Sequence, residues 1–556
     1  MIVPEWWQDA VGYQIYPRSF ADSNGDGIGD LPGIIDKLDY LQRLGITVVW
    51  LSPFYPSPQF DVGYDISDYT DVNPEYGTLA DFDRLLAEAH RRGIRIMLDC
   101  VMNHTSDEHP WFQESRSSRD SPKRDWYIWR DARHGGPPNN WESVFGGSVW
   151  TLDEATGQYY YHHFFARQPD LNWRNPEVRA AMYDVVRFWY ARGVDGLRLD
   201  AIGALYEVED LRDTDETRSM IELWMTVFEN QQRDWDAFQK KIQHQVMQPE
   251  TFQEMNRLRA VNDEFEERVL LAEAEDIEYY HNGLHSVFNF DLTDVNELDA
   301  DKIRAVLSER GAALPDGAWE SNTIGNHDRT RSMSVFADGQ HDRERMIVAL
   351  AMVMFLRGTP MFYNGEEIGM RDWLITDPAD FRDMLGVWAY ETAQGLGFDD
   401  EQALHVANIV SRDKNRTPMQ WENAPNAGFS PEGVRPWLAV NPDYAEGTTV
   451  VGHEVDPQAL LHAFRELVQV RQNNVTLRRG DMELLEGTGP VLAFWRRHSE
   501  QTCLVALNMA AESAALNIDL PAGLRPVYSS QTHDGAQDTA QTVHLAPYEV
   551  FVAAAE

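Results

Sequence analysis

The stretch DFDRLLAEAHRR (81–92), followed at once by RIMLDCVMNH (95–104), decides the fold. Phe82, Leu85, Leu86 and Ala89 recur at helical spacing, so residues 81–92 read as an amphipathic helix. Residues 95–104 form an apolar run short enough for a strand and too continuous for a half-exposed one, as in a buried parallel sheet. A helix feeding such a strand is one half of a βαβ unit, and the strand closes on polar residues, Asp99, Asn103 and His104.

The unit recurs outward from there. Strand-like runs fall at Val11–Phe20, Ile46–Phe54, Arg95–His104, Gly193–Asp200, Arg268–Ala274, Val287–Leu292, Ser321–Asp328 and Pro360–Glu367. Amphipathic segments lie between them at Ile34–Leu44, Pro176–Arg192 and Glu344–Leu356. Eight strands alternating with helices predict an α/β fold, a closed (β/α)8 TIM barrel. The Gly-rich phosphate turn of a doubly wound sheet is missing from the sequence.

Some seventy residues separate the third strand from the fourth, rich in His, Trp, Tyr and Gly, and read as a small inserted domain. Two more insertions follow the fourth strand (203–267) and the eighth (370–421). The second, with its run Phe381–Ala407, has no evident role in the sequence. After the helical segment Gln458–Gln472, short strands are predicted at Arg479–Leu485, Val491–Arg497, Thr502–Asn508, Ala515–Leu520 and Glu549–Ala553. The expected division is a barrel over 1–104 and 173–475, an inserted domain over 105–172 and a C-terminal all-β sandwich over 476–556.

Composition narrows the function. The 556 residues carry 48 Lys and Arg against 90 Asp and Glu, a formal charge of −42. Nucleic acid and anionic membranes are poor partners for such a surface, since both are bound through cationic side chains. Salt adaptation and an ordinary acidic enzyme fit this charge equally well. The two cysteines, Cys100 and Cys503, make no disulfide framework. Met1–Trp7 lacks the features of a signal peptide and no run approaches a membrane span, so a cytoplasmic protein is expected.

In a barrel of this kind chemistry collects at the C-terminal strand ends. Here strand three ends in Asn103-His104, strand four in Arg198-Leu-Asp200, strand five in Glu273 and strand seven in Asn326-His327-Asp328. One such carboxylate would pass for a structural cap. Three, with two histidines and an arginine, point to one site. Two carboxylates facing one bond are what acetal cleavage needs: one attacks or activates water, the other stays protonated for the leaving oxygen. Arg198, two residues before Asp200, shares its face and would keep it ionised. A divalent metal site is the alternative, but the usual ligand spacings are missing.

The segments DCVMNH (99–104), QPDLN (168–172), GLRLDA (196–201), LLAEA (270–274), IGNHD (324–328) and GTPMFYNGEE (358–367) together resemble the short conserved regions of the α-amylase superfamily of glycoside hydrolases. GYQIYPRSFADSNGDGIGDLPGI (12–34), the stretch from Phe60 to Tyr69, and RDKNRTPMQW (412–421) are similar to its oligo-1,6-glucosidase and α-glucosidase group. The resemblance implies Asp200 as nucleophile, Glu273 as general acid/base and Asp328 as transition-state stabiliser, in a retaining mechanism with a covalent intermediate. It implies His104 and His327 on sugar hydroxyls, Asp61 and Arg412 clamping the 4-hydroxyl of a terminal glucose, and Tyr64 stacked on its ring. Such a pocket is exo-acting on small neutral α-glucosides, with release or transfer of glucose. The Lys-His pair that open-cleft amylases often carry after the nucleophile is replaced by Gly203-Ala204.

Ala201, after the nucleophile, accompanies α-1,4 preference in the resembling group, so maltose is the favoured substrate. Phe145 and Phe164 are candidates for gripping the aglycone, or for plain packing within the inserted domain. LLAEAED (270–276) and RTPMQWENAPNAGFS (416–430) also resemble trehalose synthase, an isomerase of maltose, and sucrose- and isomaltose-acting relatives share the architecture. Non-catalytic transporter-associated proteins of this fold tend to lose the acidic triad, which this chain keeps. The loop from Asp22 to Asp30 offers Asp22, Asn24, Asp26, the Ile28 carbonyl and Asp30 at positions 1, 3, 5, 7 and 9 of a Ca2+-loop pattern. Gly33 at position 12 excludes an EF-hand, leaving a metal loop or a Gly-rich turn. The resemblance implies a structural Ca2+ or Mg2+ there, and no organic cofactor.

Overall fold

The computed structural model describes residues 5–224, 234–274, 276–499, 501–521, 523–531 and 542–555. Glu275, within the LLAEAED segment, and the first residues of the Met1–Trp7 stretch lie outside this range, as does part of the 203–267 insertion.

Three strands open the barrel, β1 (Gly12–Ile15), β2 (Val48–Leu51) and β3 (Arg95–Val101). The chain then leaves it for a three-stranded antiparallel sheet, β4 (Trp129–Asp131), β5 (Trp150–Asp153) and β6 (Gln158–Tyr161). It returns through β7 (Gly196–Asp200), β8 (Val269–Ala272), β9 (Ser286–Asn289), β10 (Ser321–Asn322) and β11 (Thr359–Tyr363). The eight barrel strands are parallel and closed in the order β1-β11-β10-β9-β8-β7-β3-β2. They are almost wholly buried, which is why their sequences read as apolar runs rather than alternations.

Local chemistry sets the entries. The helix Leu79–Arg91 starts with a reciprocal capping box between Thr78 and Asp81. The helix Pro176–Arg192 starts with Pro at its first position and ends on Gly193, whose φ of 107° is the left-handed cap that turns the chain into β7. The segment Ile34–Leu44 is two helices, Leu31–Asp36 and Leu38–Leu44, because Lys37 leaves helical geometry between them. The seventh strand is shorter than its apolar run. The chain turns after Asn322, with the Thr323 hydroxyl donating to the Gly325 carbonyl at 2.8 Å, and this frees Asn326-His327-Asp328 as a loop.

The helix Asp342–Phe355 is buried at every residue from Met346 to Phe355. The stretch from Met346 to Phe355 packs against β11, the helix Leu460–Gln472 and the strands Gln501–Asn508 and Val550–Ala555, so it has no solvent face. Each large apolar side chain buried there stabilises the fold by about 1.5–3 kcal/mol. The C-terminal part is antiparallel: a five-stranded sheet that includes Val491–His498, Gln501–Asn508 and Val550–Ala555, beside a two-stranded one. Its strands Arg525–Ser529 and Thr542–Leu545 were not evident in the sequence. The first is largely exposed, so it lacks an apolar signature.

Candidate active site

The register of β3 and β7 sets Asp99 beside Arg198. The Arg198 guanidinium, 1% exposed, donates to Asp99 at 2.8 Å and to Asp200 at 2.5 Å, and forms an ion pair with Glu273 at 2.6 Å. Glu273 follows the last residue of β8, its own N–H donating to the Leu199 carbonyl at 2.9 Å. Its second oxygen accepts from the Ala201 N–H at 3.0 Å. That contact exists because Ala201 is held at φ 46°, a left-handed conformation that costs a non-glycine residue about 1–3 kcal/mol.

Burial pushes the carboxyls of Asp200 and Glu273 up to about 7 each, against the pull of Arg198. Asp99 also rises with burial, to about 6. Its oxygens accept from Arg198, the Trp50 indole at 3.2 Å and the Tyr64 hydroxyl at 3.1 Å, all donors that favour the ionised form. Asp200 and Glu273 are thus the two site carboxyls that burial raises furthest, and they titrate as a coupled pair.

Asp328 behaves in the opposite way. Burial opposes its ionisation, but the charges of Arg416 and Arg412 outweigh it and hold the carboxyl well below the usual range. Arg416 donates to Asp328 at 2.6 Å, and Arg412 reaches the same oxygen at 3.4 Å. The His327 ring is fully buried and held neutral. Its Nδ1 accepts from Gln14 at 2.7 Å, so its Nε2 carries the hydrogen and donates to the Tyr64 hydroxyl at 2.6 Å. The Tyr64 and His327 rings stack with centroids 5.5 Å apart.

A second bridge closes the network. Arg412 donates to Asp61 at 2.8 Å, and Gln168 donates to the other Asp61 oxygen at 2.9 Å. Gln168 also lies beside His104, whose Nε2 donates to the Tyr64 carbonyl at 3.2 Å. Burial keeps His104 neutral, lowering it to about 3. The loop carrying Asp61 and Tyr64 is folded around buried Asp65, which accepts from the Ser57 hydroxyl and the Phe60 and Asp61 N–H groups at 2.8–3.0 Å. Phe164 meets the edge of His104 at 5.1 Å and Phe145 at 5.5 Å, a half-buried aromatic contact between inserted segment and site.

Asp61, Tyr64, His104, Phe164, Arg198, Asp200, Glu273, His327, Asp328 and Arg412 thus come together from one end of the barrel. A cavity of about 660 Å3 opens beside them, lined by Ala201, Glu273, Asp328, Met247 and Phe290 among others. A coupled carboxyl pair raised by burial, a third carboxylate kept ionised and hydroxyl-binding groups around them can act on an acetal. Sequence reasoning missed Asp99, Gln14, Arg416 and Asp383 as parts of the network. Asp99 was reachable, since its strand partner is Arg198. The others meet the site only through contacts across the barrel.

The Asp22–Asp30 loop lies apart from this network. Asp22 accepts from the Gly25 and Gly27 N–H groups at 2.7 and 2.8 Å, and Asp26 from Ile28 at 2.8 Å. The Asn24 carbonyl accepts from Asp26, while its amide nitrogen points at the Asp26 carboxylate. Asp30 caps a helix through Gly33 and accepts from Ser23. Among the described residues no group of three or more His, Cys, Asp and Glu is arranged to hold a metal ion. The donors are hard oxygens of the right kind for Ca2+ or Mg2+, each carboxylate oxygen keeping a free lone pair, but Asp30 is committed to the cap. Among the described residues no helix is long and apolar enough to cross a membrane.

Residues 14–480 match the catalytic domain of the α-amylase family. The oligo-1,6-glucosidase of Parageobacillus thermoglucosidasius is 38% identical over 527 residues, 92% of each chain. A probable α-glucosidase of Rhizobium meliloti is 39% identical, over 93% of this chain and 91% of its own. Among solved structures, the trehalulose synthase of Pseudomonas mesoacidophila MX-45 superposes with a TM-score of 0.88 at 33% identity, over 99% of this chain and 100% of its own. The isomaltulose synthase of Erwinia rhapontici NX5, a mutant crystallised with its natural substrate sucrose, gives 0.88 at 32%, over 100% of both chains.

Proposed function

The chain belongs to the α-amylase family of glycoside hydrolases, and within it we propose that it is an exo-acting, retaining α-glucosidase that releases or transfers glucose from short α-glucosides. The observation that carries this reading is the Asp61–Arg412 bridge, tied by Arg412 to Asp328 and by Gln168 to Asp61. It supports a pocket closed at the non-reducing end, where the 4-hydroxyl of one glucose is held and no further sugar fits.

In this reading Asp200 attacks the anomeric carbon while Glu273 protonates the leaving oxygen, and the same Glu273 then activates water or an acceptor hydroxyl. One guanidinium, Arg198, contacts both carboxylates. Such bridging favours the close spacing of a double displacement over the ~6.5–9.5 Å that leaves room for a water between them. Asp328, kept ionised by its arginines, faces the developing oxocarbenium charge. The network holds Arg198, Arg412 and Arg416 against Asp61, Asp99, Asp200, Glu273, Asp328 and Asp383. Negative charge remains in excess even with Glu273 protonated, which suits a cationic transition state formed from a neutral sugar.

The α-1,4 preference drawn from Ala201 is part of the proposal, and so is the division into barrel, inserted domain and β domain. So is a structural Ca2+ or Mg2+ on Asp22, Asn24, Asp26 and the Ile28 carbonyl, with Asp30 ordering the loop. Added Ca2+ is then expected to raise the melting temperature of chelator-treated protein, and Asp22→Ala to abolish that rise; no calcium response removes the metal from the account. A second reading, sucrose isomerisation, is favoured by the full-length similarity to the trehalulose and isomaltulose synthases. Product analysis on maltose and sucrose tests both. Free glucose from maltose, lost in Asp200→Ala, supports the glucosidase. Trehalose from maltose, or an isomer of sucrose as main product, supports an isomerase.

A further inference from the structure

The run Phe381–Ala407 of the 370–421 segment meets the site through Asp383. Asp383 caps the helix Met384–Gly395, accepting from the Leu385 N–H at 3.1 Å. Its carboxylate is 0% exposed and turned onto Arg412. One oxygen accepts from Arg412 Nε at 2.9 Å and from the Arg412 backbone N–H at 2.8 Å; the other accepts from the terminal nitrogen at 2.8 Å. The backbone of Asp383 is anchored in turn, its N–H donating to both Asp413 oxygens at 3.1 and 3.0 Å.

A guanidinium is planar, with five N–H donors in fixed directions. A two-point grip on Nε and one terminal nitrogen fixes that plane, and with it the directions of the remaining hydrogens. Those are the hydrogens that reach Asp61 at 2.8 Å and Asp328 at 3.4 Å. Without the grip, Arg412 is free to rotate onto either carboxylate. We propose that Asp383 is a positioning residue: it holds Arg412 in the one orientation that serves Asp61 and Asp328 together, and so sets recognition of the sugar's 4-hydroxyl. The proposal rests on the glucosidase reading above and assigns a role to the run Phe381–Ala407, which had none.

The test compares nitrophenyl α-glucoside with its 4-deoxy analogue, measuring kcat and KM for each. Asn is as good a helix cap as Asp, so Asp383→Asn keeps the helix start while weakening the grip. Asp383→Asn is expected to lower kcat/KM on the glucoside about 10–100-fold, mainly through KM, and on the 4-deoxy analogue by about threefold or less. Added to Arg412→Ala, Asp383→Asn is expected to change nothing further, since both act through one contact. Equal losses on both substrates, unchanged kinetics, or full additivity with Arg412→Ala would overturn the proposal. Should Asp383→Asn not fold, Asp383→Glu keeps the charge, shifts its position and is held to the same contrast. A wild-type protein inert on the glucoside refutes the glucosidase reading instead, which separates the two failures.

Discussion

Replacing Glu273 by Gln removes the proposed proton donor while keeping the size of the side chain. Burial raises Glu273 from its ordinary 4.5 to about 7. At pH 7 about half of such groups hold a proton, against roughly 0.3% at the ordinary value, so the protein presents on the order of 150-fold more acid. General acid catalysis contributes about 10²–10⁴ in rate, or about 3–5 kcal/mol of barrier. The full loss is expected for maltose, whose leaving sugar alkoxide must be protonated. Nitrophenolate leaves unassisted, so kcat/KM for nitrophenyl α-glucoside is expected to fall about tenfold or less. The pH profile carries a second signature. Wild-type kcat/KM is expected to be bell-shaped and narrow around pH 7: the acid limb is the ionisation of Asp200 and the alkaline limb the loss of the Glu273 proton. Glu273→Gln should erase the alkaline limb. Equal losses on both substrates, or an alkaline limb that survives, would refute the assignment of Glu273 and the burial argument behind it.

Arg198→Met leaves three buried carboxylates without their shared cation, a loss of about 3–5 kcal/mol in folding stability. Asp200 then holds its proton to higher pH, so the acid limb of the rate profile is expected to move up; a fixed limb would deny Arg198 its electrostatic role. Asp61→Asn weakens charge-assisted bonds to Arg412 and Gln168 worth about 1.5–3 kcal/mol, so kcat/KM on maltose should fall about 10–100-fold in steady-state assays. The charge of −42 predicts that screening of self-repulsion raises the melting temperature as NaCl is increased toward molar concentrations; a flat response would remove the surface charge as a stability term.

Strand positions were legible because barrel strands buried on both faces write themselves as apolar runs, and all eight fall within their predicted runs or within a residue of them. The helix Pro176–Arg192 was legible to the residue, its boundaries written by Pro176 and Gly193. The candidate site residues were legible where carboxylates lie at or near the ends of the apolar runs, as at Asp200, Glu273 and Asp328. Asp383 was not. Its meaning comes from a partner 29 positions away across a helical insertion, and no local pattern encodes that meeting. Nor does any pattern encode the positive φ of Ala201, which sets a backbone N–H against Glu273 and which only the closed barrel imposes. The Asp22–Asp30 loop shows the converse, for its spacing suggests a cation site while its oxygens in the folded chain bond neighbouring backbone N–H groups.

The central claim is that Asp200 and Glu273 carry out a double displacement on an α-glucoside. Proton NMR of the glucose first formed from nitrophenyl α-glucoside, recorded before mutarotation, tests it most directly. The account predicts the α-anomer as initial product; the β-anomer would mean single inversion by water and would contradict it.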